Sequence, residues 1–300
     1  MISVVIPTHN REKLLVRAIE SVLRQTYKDI EILVVADGCT DNTAKIIKEM
    51  QMFDNRIKFF DYYPPKGGNE ARNIGIEKSN GDLIAFLDDD DEWLPEKLEK
   101  QEQLFNRDSE IGLVYTGVNI IYSQLELEYT FIGKSSGDLS KEILFDNCIG
   151  TTSTVMVKRS ILEKAGYFDL DLKALQDFDL WIRVCQHCKV GVIQEKLVNY
   201  YNLSGNNQVS GITQKYIDAF KIINFKYGSL YSKLTEKENN KKSINENMLI
   251  ANKAMRNGDS NLARKYILKA IRYGITKKAL VYYCLTFTSF EFILKLRKFL

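Results

Sequence analysis

The sequence lacks the features that direct a protein out of the cytoplasm. Residues 1–7 contain no basic segment, and their apolar run is too short for a signal peptide. The five cysteines are odd in number and scattered over 300 residues, which is typical of reduced thiols. Cys185 and Cys188 lie close together, but no second pair is present to complete a zinc site. We therefore expect a cytoplasmic protein with reduced cysteines.

A long uninterrupted hydrophobic run is also missing. Segment 279–296 is nearly long enough to span a bilayer, but Glu291 and Lys295 interrupt it. Residues 241–300 hold 13 Lys/Arg against 3 Asp/Glu, a net charge of +10, which leaves −7 for residues 1–240 out of the total of +3. Because aromatic side chains are mixed with the basic ones, segment 276–300 is predicted to bind an anionic membrane surface rather than nucleic acid. The alternative is an amphipathic helix packed on its own domain.

Short apolar runs alternate with helical patterns over the first 110 residues. Strands are predicted at 2–7, 30–35, 57–60 and 83–87, and helices at 12–25, 41–50 and 69–79. This order predicts an α/β fold with a Rossmann-like, mostly parallel three-layer sheet, whose ligands bind at the carboxyl ends of the strands. Polar or glycine-rich clusters do follow the four strands, at 8–10, 37–41, 64–68 and 88–91.

The remainder of the chain has a looser pattern. Further strands are predicted at 112–122, 152–157 and 198–202, with helices at 160–165 and 177–188. We place a domain boundary near residue 205, which gives a nucleotide-binding half of about residues 1–110 and an acceptor half of about residues 111–205. A small helical region, 206–300, follows. In it, 236–247 is predicted as a charged linker, with helices at 246–256, 260–273 and from 277 onward.

Four consecutive carboxylates, Asp88 to Asp91, follow the predicted strand 83–87. Two carboxylates ~4 Å apart repel by ~4 kcal/mol at an effective dielectric constant of ~20, so the end of a buried strand favours such a cluster where a cation is bound. In an extended segment, Asp88 and Asp90 would lie on one side and Asp89 and Asp91 on the other. An Asp-x-Asp pair suits Mg²⁺ or Mn²⁺ carrying a diphosphate. The alternative is a solvated acidic turn that caps a helix beginning near Pro95.

Five segments in this order and spacing resemble family 2 glycosyltransferases. They are ISVVIPTHN (2–10), VVADGCTD (34–41), ARNIG (71–75), FLDDDD (86–91) and QDFDLW (176–181). The resemblance spans roughly residues 1–205 and implies a GT-A fold. It also implies the transfer of a sugar from a nucleotide diphosphate donor, with inversion at the anomeric carbon.

The resemblance also implies roles for individual residues. The residues that would contact the nucleotide or the donor sugar are Pro7, Thr8, Asn10, Asp37, Arg72, Asp88 and Asp89. Among them, Asp37 would accept a hydrogen bond from a uracil N–H, so a UDP-sugar is the favoured donor. Arg72 could instead pair with Glu70 on its own helix.

Metal binding and base catalysis are implied in the same way. Asp90, together with Asp88, would hold Mg²⁺ or Mn²⁺, and Asp177 would act as the general base. Asp177 has an alternative role as the N-cap of the helix predicted from residue 177, and Asp179 is a weaker candidate for the base.

Two departures from the family pattern leave other functions open. Ala36 replaces the first acid of the usual Asp-Asp-Gly, and Gln176 replaces the acid of the usual Glu-Asp. Our interpretation is an inverting transferase that acts on a surface glycan, lipid-linked at the inner face of a membrane. A non-catalytic nucleotide-sugar-binding or scaffold protein is the alternative. A nucleotidyltransferase is disfavoured because segment 8–12 contains no glycine for a phosphate loop.

Overall fold

The protein is described from a computed structural model that covers residues 1–202, 211–288, 292 and 294. Nine strands belong to this part of the chain: β1 (Ile2–Thr8), β2 (Ile30–Asp37), β3 (Ile57–Tyr62), β4 (Leu83–Phe86), β5 (Glu92–Trp93), β6 (Ile111–Tyr122), β7 (Leu127–Phe131), β8 (Val155–Lys158) and β9 (Lys189–Tyr201). The helices are α1 (Glu12–Leu23), α2 (Thr43–Phe53), α3 (Gly68–Lys78), α4 (Lys97–Arg107), α5 (Arg159–Ala165), α6 (Gln176–Val184), α7 (Thr213–Lys226), α8 (Gly228–Tyr231), α9 (Glu236–Arg256), α10 (Ser260–Tyr273) and α11 (Lys277–Leu285).

One sheet contains all of these strands, in the order β3-β2-β1-β4-β8-β6-β9-β5, with β7 paired to β6. Strands β3, β2, β1 and β4 are neighbours in that order and pair in parallel. In chain order, a helix crosses over the sheet between each of these strands and the following one, which is what parallel pairing requires. Antiparallel strands enter at β8, which pairs with both β4 and β6. Beyond β8, strands β6 and β9 pair in parallel again. The predicted α/β fold is confirmed, and its four consecutive parallel strands come from the amino-terminal half of the chain.

Helices cover both faces of this sheet. On β1, Val4 and Ile6 pack into a core with α1, α2 and α4, whereas Val5 packs into the core on the opposite face. Such alternation along a strand that is buried on both faces is what a three-layer fold requires. Helix α3 lies very close to β1, since a Cβ on Gly75 would come within 2.3 Å of a methyl group of Val5.

The carboxyl-terminal helices share a core with the sheet. Tyr216 and Ile223 of α7, Met248 and Ile250 of α9 and Ile267 of α10 are buried in the same hydrophobic cluster as α6 and β6; this cluster is the one that contains Val5. The predicted boundary near residue 205 lies outside the described residues. Across it, buried apolar contact continues from the sheet to the helices.

The prediction of a charged linker at 236–247 is wrong. Helix α9 runs unbroken from Glu236 to Arg256 and begins with a capping box, in which the hydroxyl of Thr235 accepts from the backbone N–H of Glu238 while the Glu238 carboxylate accepts from the Thr235 N–H. Some of its polar residues contact the sheet domain. Asn245, for example, donates to the carbonyl oxygen of Phe145 at 2.8 Å. Long-range pairing of this kind leaves no periodic pattern in the sequence.

Helix α4 begins at Lys97, close to the helix start near Pro95 that the alternative for the acidic cluster contained. Strands β5 and β7 have no counterpart among the predictions, while β9 spans 13 residues instead of segment 198–202. Residues 194–196 in the middle of β9 are exposed, which hides the strand from a hydrophobic pattern. Among the described residues, no helix is both long and apolar enough to cross a membrane.

Candidate functional site

The predicted site residues gather at the carboxyl edge of the parallel strands. Thr8 ends β1 and pairs in register with Ala36, one residue before Asp37 ends β2. Strand β4, which precedes the four acids, lies on the other side of β1. The hydroxyl of Thr8 donates to Asp89 at 2.7 Å, which joins the first of these loops to the acidic one. The sheet thus brings together groups that are up to 81 residues apart.

Asp37 anchors the loop that follows β3. Its two carboxylate oxygens accept hydrogen bonds from the backbone N–H groups of Lys66 at 2.6 Å and Gly67 at 2.8 Å. Gly38 has a φ of +62°, and a Cβ there would lie 2.7 Å from Pro65, so only glycine fits against this loop. A carboxylate can accept about four hydrogen bonds, so Asp37 retains acceptor capacity for a ligand N–H.

The loop after β1 is fixed by side-chain bonds to the loop after β2. His9 Nδ1 donates to the carbonyl oxygen of Asp37 at 2.5 Å, and the backbone N–H of Thr40 donates to Asn10 Oδ1 at 2.7 Å. Asn10 has a φ of +53°, a conformation that asparagine tolerates better than most residues. Pro7 and Thr8, by contrast, are buried within β1.

The four acids do not alternate along an extended segment, so that prediction is wrong. The backbone N–H of Asp91 donates to the carbonyl oxygen of Asp88 at 3.0 Å, which closes a turn over Asp89 and Asp90. Because the chain turns, Asp89 and Asp90 point to the same partner. Arg11 Nη1 lies 2.9 Å from Asp89 Oδ1 and 3.0 Å from Asp90 Oδ2.

Asp88 faces a different cation. Arg72 Nη2 lies 2.5 Å from Asp88 Oδ1, whereas Glu70, the alternative partner of Arg72, pairs with Lys66 at 3.3 Å. The structure therefore places Arg72 at the acidic cluster and not on its own helix surface. Arg72 also stacks near Phe168, with its guanidinium 5.5 Å from the ring centre.

Two acids of the cluster have raised pKa values. Burial, opposed by Arg11 and supported by Asp90, raises the pKa of Asp89 to about 6. Burial and the charges of Asp90 and Asp88 raise the pKa of Asp91 well above its ordinary value. The hydroxyl of Ser153 donates to Asp91 at 2.6 Å and accepts from the backbone N–H of Asp88 at 3.1 Å. Asp91 is thus a buried structural acid that supports the turn.

The donor set at the turn fits a hard divalent cation that is shared with a diphosphate. Asp88 and Asp90 supply carboxylate oxygens, the ligand type that Mg²⁺ and Mn²⁺ prefer. Residues 1–202 and 211–288 contain no cluster of three or more His, Cys, Asp or Glu side chains that could enclose a metal. Mg²⁺ commonly uses only one or two carboxylates together with substrate phosphates, so this site suits a cation that arrives with its ligand.

Asp177 lies in the first turn of α6 and is not its N-cap. The residue before the helix is Leu175, with a φ of +58° and no side-chain capping bond. Asp177 instead accepts from the N–H of Phe178 at 2.8 Å. Burial, together with the negative charge of Asp88, raises the pKa of Asp177 above its ordinary value. Helix α6 therefore holds Asp177 within the electrostatic influence of Asp88.

Asp179 is excluded as the base by its surroundings. Its side chain is 0% exposed and lies 2.8 Å from Arg183 Nη2 and 2.9 Å from Lys226 Nζ. The hydroxyl of Tyr227 donates to the same carboxylate at 2.7 Å. With all of its acceptor positions used inside the protein, Asp179 serves to fasten α7 to α6.

Three cations near the acids were not found from the sequence. Arg11 bridges Asp89 and Asp90, and Arg17 donates to the carbonyl oxygen of Asp90 at 2.5 Å. Lys253 of α9 lies within electrostatic reach of Asp177; burial and Arg256 lower the pKa of Lys253 to about 8, while Asp177 opposes the change. Arg11 directly follows the strand-end segment 8–10, a signal that could have found it. Nothing local marks Lys253.

The chain is similar in sequence to known proteins. Residues 3–166 match the family model described as Glycosyl transferase family 2. An uncharacterized glycosyltransferase of Methanocaldococcus jannaschii is 34% identical over 221 residues, which cover 72% of this chain and 75% of that protein. The Escherichia coli enzyme UDP-Glc:alpha-D-GlcNAc-diphosphoundecaprenol beta-1,3-glucosyltransferase WfgD is 30% identical over 195 residues, which cover 64% of this chain and 73% of WfgD.

Solved structures with the same fold are more distant in sequence. S. aureus TarS in complex with UDP-GlcNAc is 16% identical, with a TM-score of 0.59 over 95% of this chain and 90% of the TarS chain. The mannosyltransferase PcManGT of Pyrobaculum calidifontis, in complex with GDP-Man and Mn²⁺, is 14% identical, with a TM-score of 0.56 over 99% of this chain and 86% of that one. At this identity the likeness concerns the fold alone, and it is the fold of glycosyltransferases.

Proposed function

This chain belongs to glycosyl transferase family 2, and we propose that it moves a sugar with inversion from a UDP-sugar to a hydroxyl of a surface-glycan acceptor, with Asp177 as the general base. The family establishes a glycosyltransferase with a GT-A fold. The donor, the metal, the base and the acceptor are parts of the proposal.

One observation carries the catalytic part, which is the electrostatic influence of the acidic turn on Asp177. Burial and the negative charge of Asp88, which follows β4, both raise the pKa of Asp177 on α6. In the proposed step the acceptor hydroxyl attacks the anomeric carbon, its proton passes to Asp177, and the bond to the nucleotide diphosphate breaks on the opposite face. A positioned carboxylate of this kind typically accelerates proton transfer by ~10²–10⁴-fold.

The donor side of the proposal rests on the loops around Asp37. The carboxylate of Asp37 accepts from the Lys66 and Gly67 backbones and keeps capacity for one N–H of a uracil base. The names of two similar proteins agree with this choice, since TarS was solved with UDP-GlcNAc and WfgD uses UDP-Glc. We therefore favour UDP over other nucleotides.

A divalent cation, Mg²⁺ or Mn²⁺, would be held by Asp90 and Asp88. When bound, it would neutralise charge on the departing diphosphate as a Lewis acid. The mannosyltransferase with a similar fold was solved with Mn²⁺. In this chain Arg11 and Arg72 already contact the carboxylates of the turn, so they also provide positive charge where the diphosphate would lie.

The acceptor part of the proposal is a lipid-linked glycan at a membrane surface. WfgD, by its name, acts on a diphosphoundecaprenol-linked sugar. In this chain, Leu280, Val281 and Phe287 at or near α11 are 50%, 50% and 70% exposed. They belong to residues 241–300, which carry a net charge of +10. Exposed apolar side chains among basic ones suit an anionic bilayer surface.

A screen of nucleotide sugars tests the proposal. The full chain is incubated with UDP-, GDP- and TDP-sugars, with Mn²⁺, Mg²⁺ or EDTA, and the release of the nucleoside diphosphate is measured. We expect release from a UDP-sugar that requires the metal. Asp90→Ala should abolish release and metal-dependent UDP binding, while the apo protein keeps or gains thermal stability because one charge of a repelling cluster is gone. Full activity in EDTA would contradict the metal assignment.

A further inference from the structure

Helix α9 carries two basic side chains within electrostatic reach of the proposed base. Lys253 and Arg256 are three positions apart, so they lie on the same face of the helix with their Cβ atoms roughly 5–6 Å apart. Both residues are half-buried. We call these two residues the α9 cation pair. It belongs to the carboxyl-terminal helices and has no part in the nucleotide loops.

Contacts of Arg256 connect the α9 cation pair to the acidic turn. Arg256 Nη2 donates to Asn202 Oδ1 at 2.5 Å, and Asn202 directly follows Tyr201, the last residue of β9. The backbone N–H of Tyr201 donates to Asp91 Oδ1 at 3.3 Å. The end of β9 therefore joins the pair on one side to the acidic turn on the other.

The ammonium group of Lys253 is accessible to a ligand. Its nitrogen lies 4.6 Å from the ring centre of Tyr216 on α7. Within the described parts of the chain, this nitrogen forms neither an ion pair nor a hydrogen bond, and it is not a buried atom. A lysine ammonium group has three N–H donors, so Lys253 can donate to the oxygens of a bound group.

The charges around Lys253 favour an anion. Burial lowers the pKa of Lys253 most, to about 8, and the positive charge of Arg256 lowers it further than the negative charge of Asp177 raises it. Lys253 therefore experiences more repulsion from its neighbouring cation than attraction from the carboxylate. A bound anion would relieve this repulsion, whereas a cation would increase it.

A phosphate group is the anion that suits a Lys–Arg pair. The planar guanidinium of arginine can bind two phosphate oxygens at once, and lysine binds phosphate as a point charge. A phosphate monoester carries about 1.5–2 negative charges at pH 7, which matches two cations, whereas a carboxylate carries only one.

The donor diphosphate has other cations in the proposed function. It would lie at the acidic turn, where Arg11 and Arg72 contact the carboxylates. Lys253 instead acts on Asp177, the proposed base, which must face the acceptor hydroxyl. In a sugar 1-phosphate, the phosphate and the reacting hydroxyl lie at opposite edges of one ring. A base and a phosphate site that bind the same sugar are therefore neighbours.

We propose that Lys253 and Arg256 bind a phosphate group of the acceptor, attached to the sugar ring whose hydroxyl is activated by Asp177. That this ring belongs to the acceptor rests on the proposed function. The acceptor class is then a sugar that is linked through phosphate or diphosphate to its carrier. The new sugar is added close to the carrier and not at the far end of a long glycan.

Saturation-transfer NMR with sugar 1-phosphates tests this site. The full chain is first saturated with UDP and Mg²⁺, so that the donor loops are occupied. The 1-phosphates of glucose, galactose, mannose and N-acetylglucosamine are then compared with the corresponding methyl glycosides. We expect at least one 1-phosphate to bind in the millimolar range and more tightly than its methyl glycoside. Inorganic phosphate should displace it only at a higher concentration, because it lacks the sugar.

Two substitutions remove the charges but keep the packing. Lys253→Met keeps the stem that lies on Tyr216, and Arg256→Gln keeps a donor for Asn202. Together they should weaken 1-phosphate binding by about tenfold or more, as the loss of charge-assisted hydrogen bonds implies. The affinity for UDP should not change. The melting temperature of Lys253→Met should stay equal or rise, because its repulsion with Arg256 is gone.

Lys241→Gln is the matched control. Lys241 is on the same helix, and its ammonium nitrogen also lies 4.6 Å from an aromatic ring centre, that of Phe145. It is about three helical turns from Lys253, so its loss should leave 1-phosphate binding unaltered.

Four results would overturn the site. One is the absence of 1-phosphate binding while UDP binds, and a second is binding that the double variant retains. A third is an equal loss of UDP affinity in the double variant, which would assign the pair to the donor diphosphate. The fourth is inorganic phosphate that binds as tightly as any 1-phosphate, which would indicate a site for the free ion. Failure of the proposed function is seen separately, as the absence of UDP binding by the wild type.

Discussion

At the scale of single residues, the two aspartates of α6 differ in role because their surroundings differ. One is the proposed base, and the other holds helices together. Asp177 and Asp179 are two positions apart, yet the charge of Asp88 acts on Asp177, whereas Asp179 is fully buried among Arg183, Lys226 and Tyr227. A general base must have a lone pair available for the incoming proton. Asp177 therefore remains the base in our proposal.

Replacing Asp177 tests this assignment. Asp177→Asn keeps the size of the side chain, but an amide cannot take the proton of an acceptor hydroxyl. We expect transfer to slow by ~10²–10⁴-fold, with a near-wild-type melting temperature and UDP affinity. Because the pKa of Asp177 is raised above 3.8, the wild-type rate should climb with pH as this carboxyl loses its proton.

Asp179→Asn is the matched comparison. It leaves Arg183 and Lys226 facing a neutral group in a buried site, so it should lower the melting temperature clearly more than Asp177→Asn does. Wild-type transfer by Asp177→Asn would assign the base to an acid outside α6. If the protein were a non-catalytic scaffold, neither the wild type nor the Asp177→Asn variant would transfer sugar.

Asp37 gives a second prediction at this scale. Asp37→Ala removes the carboxylate that accepts from two backbone N–H groups. It also removes the proposed acceptor for the N–H of the uracil ring. We expect UDP binding, measured by calorimetry, to weaken by roughly 1.5–3 kcal/mol, as for a hydrogen bond to a charged group. The exposed Asp61 on the adjacent strand β3 is the control, and Asp61→Ala should bind UDP like the wild type. An unchanged affinity in Asp37→Ala would remove this residue from the nucleotide site.

At the scale of elements, the amino-terminal edge of the parallel strands is held by Glu31 of β2. It accepts from Ser3 of β1 at 2.5 Å, from Lys58 of β3 at 2.5 Å and from the side chain of Asn80, just before β4, at 3.1 Å. Burial alone would raise the pKa of Glu31, but these hydrogen bonds outweigh it and lower the pKa to about 2. One carboxylate thus ties three strands and the segment before β4 together on the side away from the site.

Glu31 should make stability depend on pH. A pKa lowered from 4.5 to about 2 in the folded state means that the contribution is complete above pH 4.5 and is lost as pH falls toward 2. Glu31→Gln should therefore cost on the order of 1–3 kcal/mol at pH 7, measured by urea unfolding, and progressively less below pH 4.5. A cost that stayed constant between pH 7 and pH 3 would show that the charge is not what holds the strands.

At the scale of the whole molecule, charge and apolar surface are unevenly distributed. Residues 241–300 carry +10 while residues 1–240 carry −7. Exposed apolar side chains occur on the carboxyl-terminal helices, but also at Met52 and Phe53 in α2, which are 75% and 89% exposed. Exposed apolar side chains alone therefore do not distinguish the carboxyl-terminal segment. This segment is distinguished because its exposed apolar side chains lie in a part of the chain with a high positive charge.

Vesicle binding tests the membrane part of the proposal. Changing Leu280, Val281 and Phe287 to serine should reduce sedimentation with anionic vesicles, because the apolar contacts with the bilayer are lost while the basic charge is kept. Binding by the wild type should weaken as salt screens the basic residues. Changing Met52 and Phe53 to serine is the control and should have little effect, because that surface belongs to the acidic part of the chain. Equal binding by both variants would mean that the tail packs only against its own protein.

The amino-acid sequence by itself determined the order of strands and helices in the amino-terminal half, the loops that form the site, and the family. These follow from local signals, since apolar periodicity reports burial and short motifs keep their spacing. The expectations for Asp37, Arg72, Asp88, Asp90 and Asp177 came from such motifs. The sheet brings Asp37 and the turn with Asp88 and Asp90 to one edge, where Arg72 of α3 pairs with Asp88.

Only the tertiary structure decided which groups face one another. The turn at Asp88–Asp91, the bridge from Arg11, the burial of Asp179 and the approach of Lys253 all depend on elements that are distant in the chain. The charged segment that begins α9 became helix because capping and contacts with the sheet domain stabilise it, not because of an apolar pattern. Long-range hydrogen bonds and ion pairs have no period in sequence, so they emerge only when the chain is folded.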